Sequence, residues 1–379
     1  MPVSSSRAVR SGLRLALLLG LFVLLSGCGS TIPQTPSTPQ PSTAQPSTAQ
    51  PSTAQRSTVE PSTAAPSTAA PPSVRPADGQ LAQRLAKVSD AGAFVHLQAL
   101  QEIADEHGGH RAASSPGYES SVDYVLGVLR AAGYDVSTPT YVPEDEGGRQ
   151  RNVITQTRSG DPNSVVMIGA HLDSVEDGPG IVDNGSGVAT LLEIAKHLGA
   201  SAPIRNAVRF AFFGSEEDGA VGSTAYVESL SANERRKILL YLNVDMVASP
   251  NAGYFVQGGK GDDKSESGPP GSATVARVLA NELAKTGVTP EFIEFVGDDE
   301  SPFINADIPC GGAENGDDEE KNRKQARAWG GRAGREYDRC YHEACDDLGN
   351  VNRVVLNRYS RAIAGTLGYF ATSSGKLSG

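Results

Sequence analysis

The sequence predicts an α/β domain built on a largely parallel sheet, and three short apolar runs carry that expectation. They are SVVMIGA at 164–170, AVRFAFF at 207–213 and ILLYLNV at 238–244. Each is almost uninterrupted by polar residues, as suits a strand buried on both faces, and helical patterns such as GVATLLEIAKHLG lie between them. Strands alternating with helices in this way point to parallel pairing.

Taken in chain order, residues 1–28 read as a targeting segment. Arg7, Arg10 and Arg14 precede the run LALLLGLFVLL, which is short for a membrane span and stops at Ser26, Gly27 and Cys28. The tetrapeptide LSGC resembles the bacterial lipobox, which implies that Cys28 becomes the lipid-bearing first residue of the mature protein. No twin Arg is present, so a general secretory route is expected. Residues 29–80 read as a tether: PSTAQ occurs three times from Pro41, followed by PSTAAPSTAA. Such a stretch has no apolar mass to bury, and its prolines favour extended chain. No second linker follows Gln80, so residues 81–379 are expected to form one domain. In it AGAFVHLQALQEIADEHG and GYESSVDYVLGVLRAAG read as amphipathic helices ended by Gly.

Charge narrows the function classes. The chain has 33 Lys and Arg against 44 Asp and Glu, and because residues 1–80 are net positive by three, the remainder carries −14. A surface so acidic excludes nucleic acid as a partner and leaves the lipid anchor as the only expected membrane contact.

The acids are not scattered. Each apolar run stops at a polar cluster: His171 and Asp173 after the first, Glu216 and Glu217 after the second, Asp245 after the third. In open α/β sheets ligands bind outside the carboxyl ends of the strands, so these side chains converge on one rim. Carboxylates that close raise one another's pKa unless a cation sits among them. Imidazole mixed with carboxylate suits zinc, with manganese, cobalt or iron as alternatives. For a second histidine, His96 and His197 fall inside helical patterns and His107 and His110 in a Gly-rich turn. His342 stands apart, in DRCYHEAC beside Tyr341 and between Cys340 and Cys345. In an exported chain these two cysteines read as a disulfide that orients Tyr341 and His342, against the alternative of a Cys/His zinc knuckle. Cys310 reads as a buried small residue.

The segments GAHLDSVEDGPGIVDNGSG, FFGSEEDGAVGS, LNVDM and WGGRAGREYDRCYHEACDDL closely resemble the secreted bacterial dizinc aminopeptidases, above all the actinomycete type, over about residues 88–372. The resemblance implies a three-layer α/β/α sandwich about a mixed, mostly parallel sheet. It also implies two zinc ions bridged by Asp183, one further held by His171 and Asp245, the other by Glu217 and His342. Glu216 would be the general base, Tyr341 would stabilise the oxyanion, Asp173 would orient His171, and Glu216 with Asp245 would meet the substrate's α-amine. The expected enzyme is an outward-facing lipoprotein, with shedding as an alternative, monomeric and acting on peptide or protein N-termini.

Three positions depart from the family. Asn357 and Arg361 stand where relatives have acids that help hold calcium, so a structural calcium is not carried over. VGDDESPF brings Asp298, Asp299 and Glu300 where relatives have an Arg. GGAENGDDEE offers Ala313 and Glu314 where relatives have bulky apolar pocket residues. A substrate pocket containing Glu314 and Asp299 would favour an N-terminal Lys or Arg, whereas a solvated loop at 314–320 would not. Glutaminyl cyclases, carboxypeptidases and a noncatalytic binding lipoprotein are the alternative readings of the same scaffold.

Overall fold

The structure is a computed structural model that describes residues 76–143, 148–258, 268–374 and 377. All lie in the second of two compact units, Ala70–Gly379. The expected signal segment, Cys28 and nearly all of the tether lie outside the described residues. No helix among the described residues is long and apolar enough to cross a membrane.

Three helices come first: α1 (Pro76–Leu85), α2 (Asp90–Glu106) and α3 (Pro116–Ala131). The side chains of Ser89 and Ser115 accept from the first-turn N–H groups of α2 and α3, and Pro116 occupies the first turn of α3, where its missing N–H is harmless. Next come β1 (Asp135–Ser137), a small pair β2 (Thr140–Tyr141) and β3 (Gln150–Arg151), then β4 (Val153–Gln156) and β5 (Asp161–His171). Helix α4 (Gly185–Leu198) leads to β6 (Asn206–Phe213), and α5 (Val221–Ser229) with α6 (Ala232–Arg235) leads to β7 (Ile238–Val244). The remaining elements are β8 (Phe255–Gln257), α7 (Ser272–Lys285), β9 (Glu291–Ile293), α8 (Ser301–Asn305), β10 (Cys310–Glu314), α9 (Arg323–Trp329) and α10 (Arg353–Thr372).

Eight strands form one sheet in the order β1-β4-β6-β5-β7-β10-β8-β9. Its centre, β6-β5-β7-β10, is parallel, while β4 and β8 join that centre antiparallel. The three apolar runs are the three central strands β5, β6 and β7, as their composition predicts. The sheet is mixed and mostly parallel at its core, with helices on both faces. Val166, Ile168, Phe210, Phe212, Leu240 and Leu242 point into the larger core, under α1–α4, α7 and α10. Met167, Ala211, Phe213 and Tyr241 point the other way, into a smaller core with Tyr226 of α5 and Phe303 of α8. Strand alternation thus sets the three layers. After β5 the chain moves to one side to form β6 and later returns to the other side as β7, so β5 marks the switch point where a crevice opens at the strand ends.

Candidate metal centre and active site

The side chains singled out in the sequence gather at that crevice. His171 ends β5, Glu216 and Glu217 follow β6, Asp245 follows β7 and Glu314 ends β10. Asp183 comes from the loop between β5 and α4, and His342 from the loop between α9 and α10. Two triads result, His171–Asp183–Asp245 and Asp183–Glu217–His342, in each of which one ligand atom per residue lies within 4.8 Å of the others. Asp183 belongs to both and turns one oxygen to each: Oδ1 is 3.1 Å from His171 Nε2, and Oδ2 is 3.2 Å from His342 Nε2. His171 Nε2 is also 3.4 Å from Asp245 Oδ2, and His342 Nε2 is 2.9 Å from Glu217 Oε2.

The donor atoms fit cations rather than one another. Glu217 Oε1, Asp245 Oδ1 and His342 Nε2 are buried with no hydrogen-bond partner, the last despite its close carboxylates. Atoms that converge without satisfying each other suit a shared ion. The electrostatics agree. The carboxylates of Asp183 and Glu217, both within 3.2 Å of its Nε2, lift His342 to about 10. Burial opposes protonation of His171, yet Asp245 and the hydrogen-bonded carboxylates push it well above its ordinary value. Burial raises Glu216 to about 10, with His171 opposing and Asp299, Asp245 and Asp298 adding to the shift. Positive charge is what this cluster demands, and bound divalent ions supply it more strongly than protons.

Other residues hold the ligands in place. Asp173 accepts the backbone N–H groups of Glu216 at 3.2 Å and Glu217 at 3.3 Å, and its own carbonyl and carboxylate approach His171 Nδ1. One side chain therefore ties the end of β5 to the turn after β6. Asn184 caps α4 by accepting from Gly187 N–H at 2.9 Å and donates to the Val244 carbonyl beside Asp245. Two supports have no local signature in the sequence. Asp346 accepts the N–H groups of Val182 and Asp183. Arg111, fully buried, donates to the carbonyls of Leu172, Pro179 and Gly180 and so braces the loop that carries Asp183. Their partners lie 60 or more residues away, which no spacing rule reaches.

Tyr341 stacks on the His342 ring at 3.8 Å and lines the cleft, and a disulfide joins Cys340 to Cys345 around both. No zinc knuckle forms there. Cys310 is a buried free thiol in the smaller core. Glu314 lines the cleft and accepts from Gln257 Nε2 at 2.9 Å. Asp299 is buried and is not among the lining residues, whereas its neighbour Asp298 is, together with Val296, Met246 and Asp317.

Comparisons with known proteins agree with this geometry. The chain is 44% identical over 279 residues to leupeptin-inactivating enzyme 1 of Streptomyces exfoliatus, covering 72% of this chain and 60% of that protein. It is 42% identical over 267 residues to a probable lipoprotein aminopeptidase, LpqL, of Mycobacterium tuberculosis, covering 67% and 53%. The match thus spans little more than half the length of these relatives. Among solved structures, a zinc aminopeptidase from Bacillus subtilis superposes with a TM-score of 0.61 at 16% identity, covering 77% of this chain and 98% of that one, which establishes the zinc exopeptidase fold. The sequence model of peptidase family M28 matches residues 152–367, so the chain belongs to peptidase family M28.

Proposed function

We propose that the chain is an exported zinc aminopeptidase that removes N-terminal residues from peptides. The observation that carries this reading is the pair of triads sharing Asp183, with the Glu216 carboxyl lining the same cleft. Two zinc ions would be held here, one by His171 and Asp245 and the other by Glu217 and His342, with Asp183 as the residue common to both; no structural calcium is invoked. Zinc bound there supplies Lewis acidity and makes water a nucleophile near neutral pH.

The chain's own residues do the rest. Glu216 takes the proton of the attacking water and delivers it to the departing amine. Asp245 and Glu216 receive the substrate's α-ammonium. Tyr341 donates its hydroxyl hydrogen to the developing oxyanion; burial keeps that phenol protonated well above neutral pH. Asp173 acts on His171 and on the Glu216–Glu217 turn rather than on substrate. Glu314 and Asp298 line the pocket and favour Lys or Arg at the substrate's N-terminus, with Asp299 contributing charge from its buried position. Residues 1–28 direct export and lipidation at Cys28, residues 29–80 tether the enzyme outside the membrane, and residues 81–379 act as a monomer.

Aminoacyl-nitroanilide hydrolysis by the purified protein tests this. Turnover should vanish with chelator, return with two equivalents of zinc and fall ~10²–10⁴-fold in Glu216→Ala. Lys and Arg substrates should exceed Leu. Two bound zinc ions with no hydrolysis of any substrate would overturn the reading.

A further inference from the structure

Away from the metal centre lies a second concavity of opposite charge. It encloses about 510 Å³, and three of its lining residues are Arg332, Arg335 and Arg339, beside Asn251, Glu336 and Tyr337. All three arginines are exposed, and among the described residues their guanidinium groups make no ion pair or hydrogen bond. The stretch 321–339 has seven basic and two acidic residues, in a domain whose net charge is −14.

The pocket is built rather than incidental. Asn251 holds the segment from beneath: its Nδ2 donates to the carbonyls of Arg332, Arg335 and Glu336, and its Oδ1 accepts the Arg332 N–H at 2.8 Å. Lys321 is buried and donates to the carbonyls of Ala252 and Gly330. Gly331 has φ +80°, and a Cβ there would meet Asn251 Oδ1 at 2.2 Å and Lys321 Nζ at 2.7 Å, so only glycine fits. The backbone that presents the arginines is therefore fixed before any ligand arrives.

Position says what the ligand is. Arg339 stands two residues before Tyr341, which lines the catalytic cleft, so their Cα atoms are at most ~7.6 Å apart. An extended peptide advances ~3.3–3.6 Å per residue, so a group two or three residues beyond the cleaved bond comes within reach of Arg339, at the edge of the pocket nearest in sequence to the cleft. A membrane or polynucleotide would meet the acidic remainder of the domain as well, whereas a lone carboxylate on a peptide meets three arginines against Glu336, the one acid in the lining. Guanidinium forks match carboxylate geometry.

We propose that Arg332, Arg335 and Arg339 form a carboxylate-binding subsite, which engages an acidic side chain or the free C-terminus of a short peptide whose N-terminus occupies the metal cleft. The proposal rests on the aminopeptidase reading. Its test compares Lys-Ala-Ala as free acid and as C-terminal amide, and Lys-Ala-Glu-amide with Lys-Ala-Gln-amide, in wild type, in Arg335→Gln and in the triple Gln variant. The acid member of each pair should be cleaved at least tenfold more efficiently through a lower KM, with the advantage shrinking in 0.5 M salt and approaching one in the triple variant. A ratio near one in wild type, or one that the folded variants leave unmoved, overturns it. So does arginine-dependent binding to phosphatidylglycerol vesicles with an unmoved peptide ratio. Should nitroanilides also resist hydrolysis, the aminopeptidase reading fails, and calorimetric binding of the free acid against the amide still decides the subsite.

Discussion

The two halves of the candidate metal centre are anchored by different means. His171, Asp245 and Glu217 sit at or just past the ends of adjacent central strands, whose parallel ladders fix their spacing. His342 sits on a loop, at φ +57°, with no strand or helix beneath it. There the chain relies on the Cys340–Cys345 disulfide, the Tyr341 ring stacked on His342 and the Asp338–Asn350–Asp346 hydrogen bonds. A sheet places ligands at no extra cost, whereas a loop needs a covalent tie and a polar network to do the same. Asp183 joins the halves, steadied by Asp346 from the loop side and Arg111 from the other.

The contrast gives graded predictions. Asp183→Asn removes the shared ligand, so both ions should be lost together, with kcat/KM falling by more than the ~100-fold that loss of an outer support costs. Metal analysis beside kinetics checks this; retention of both ions would break the bridging assignment. Next, Cys340→Ser with Cys345→Ser should weaken one zinc ion ~10–100-fold and spare the other, seen as two separated steps in chelator competition. Loss of both at once would mean that the loop is not an independent half. Asp346→Asn should weaken zinc by about tenfold, and Asp173→Asn should lower kcat while leaving KM nearly as it was, because Asp173 holds the Glu216–Glu217 turn.

A further effect, graded rather than all-or-none, is in pH. His342, lifted to about 10 by its carboxylates, must lose a proton to bind zinc, so affinity on the loop side should fall roughly tenfold per pH unit as pH drops below that value. The sign for metal-free stability is opposite. The raised imidazole stabilises the fold fully below its ordinary 6.5 and gives nothing once pH passes about 10. Chelator-treated protein should melt at a lower temperature at pH 10 than at pH 6.

Much of this was legible in the sequence. ILLYLNV matches β7 residue for residue, and the polar clusters after the three runs land where a parallel sheet opens. Strands of three residues, β1, β8 and β9, were not, because so short a segment has no period to read. The sequence reading puts Asp299 in the substrate pocket, yet the turn before α8 buries it and leaves Asp298 to line the cleft. In a run of adjacent acids, side-chain direction is set by the turn and not by composition. Arg111 stayed hidden for a related reason: its three acceptors are backbone carbonyls, which have no residue identity to signal a partner.

The five proposed ligand positions are spread along the sequence from His171 to His342, with Asp183, Glu217 and Asp245 between them. Synthesis delivers His342 after the sheet that must receive it. A chain cut short before His342 would therefore lack one side of the proposed centre, however complete its sheet.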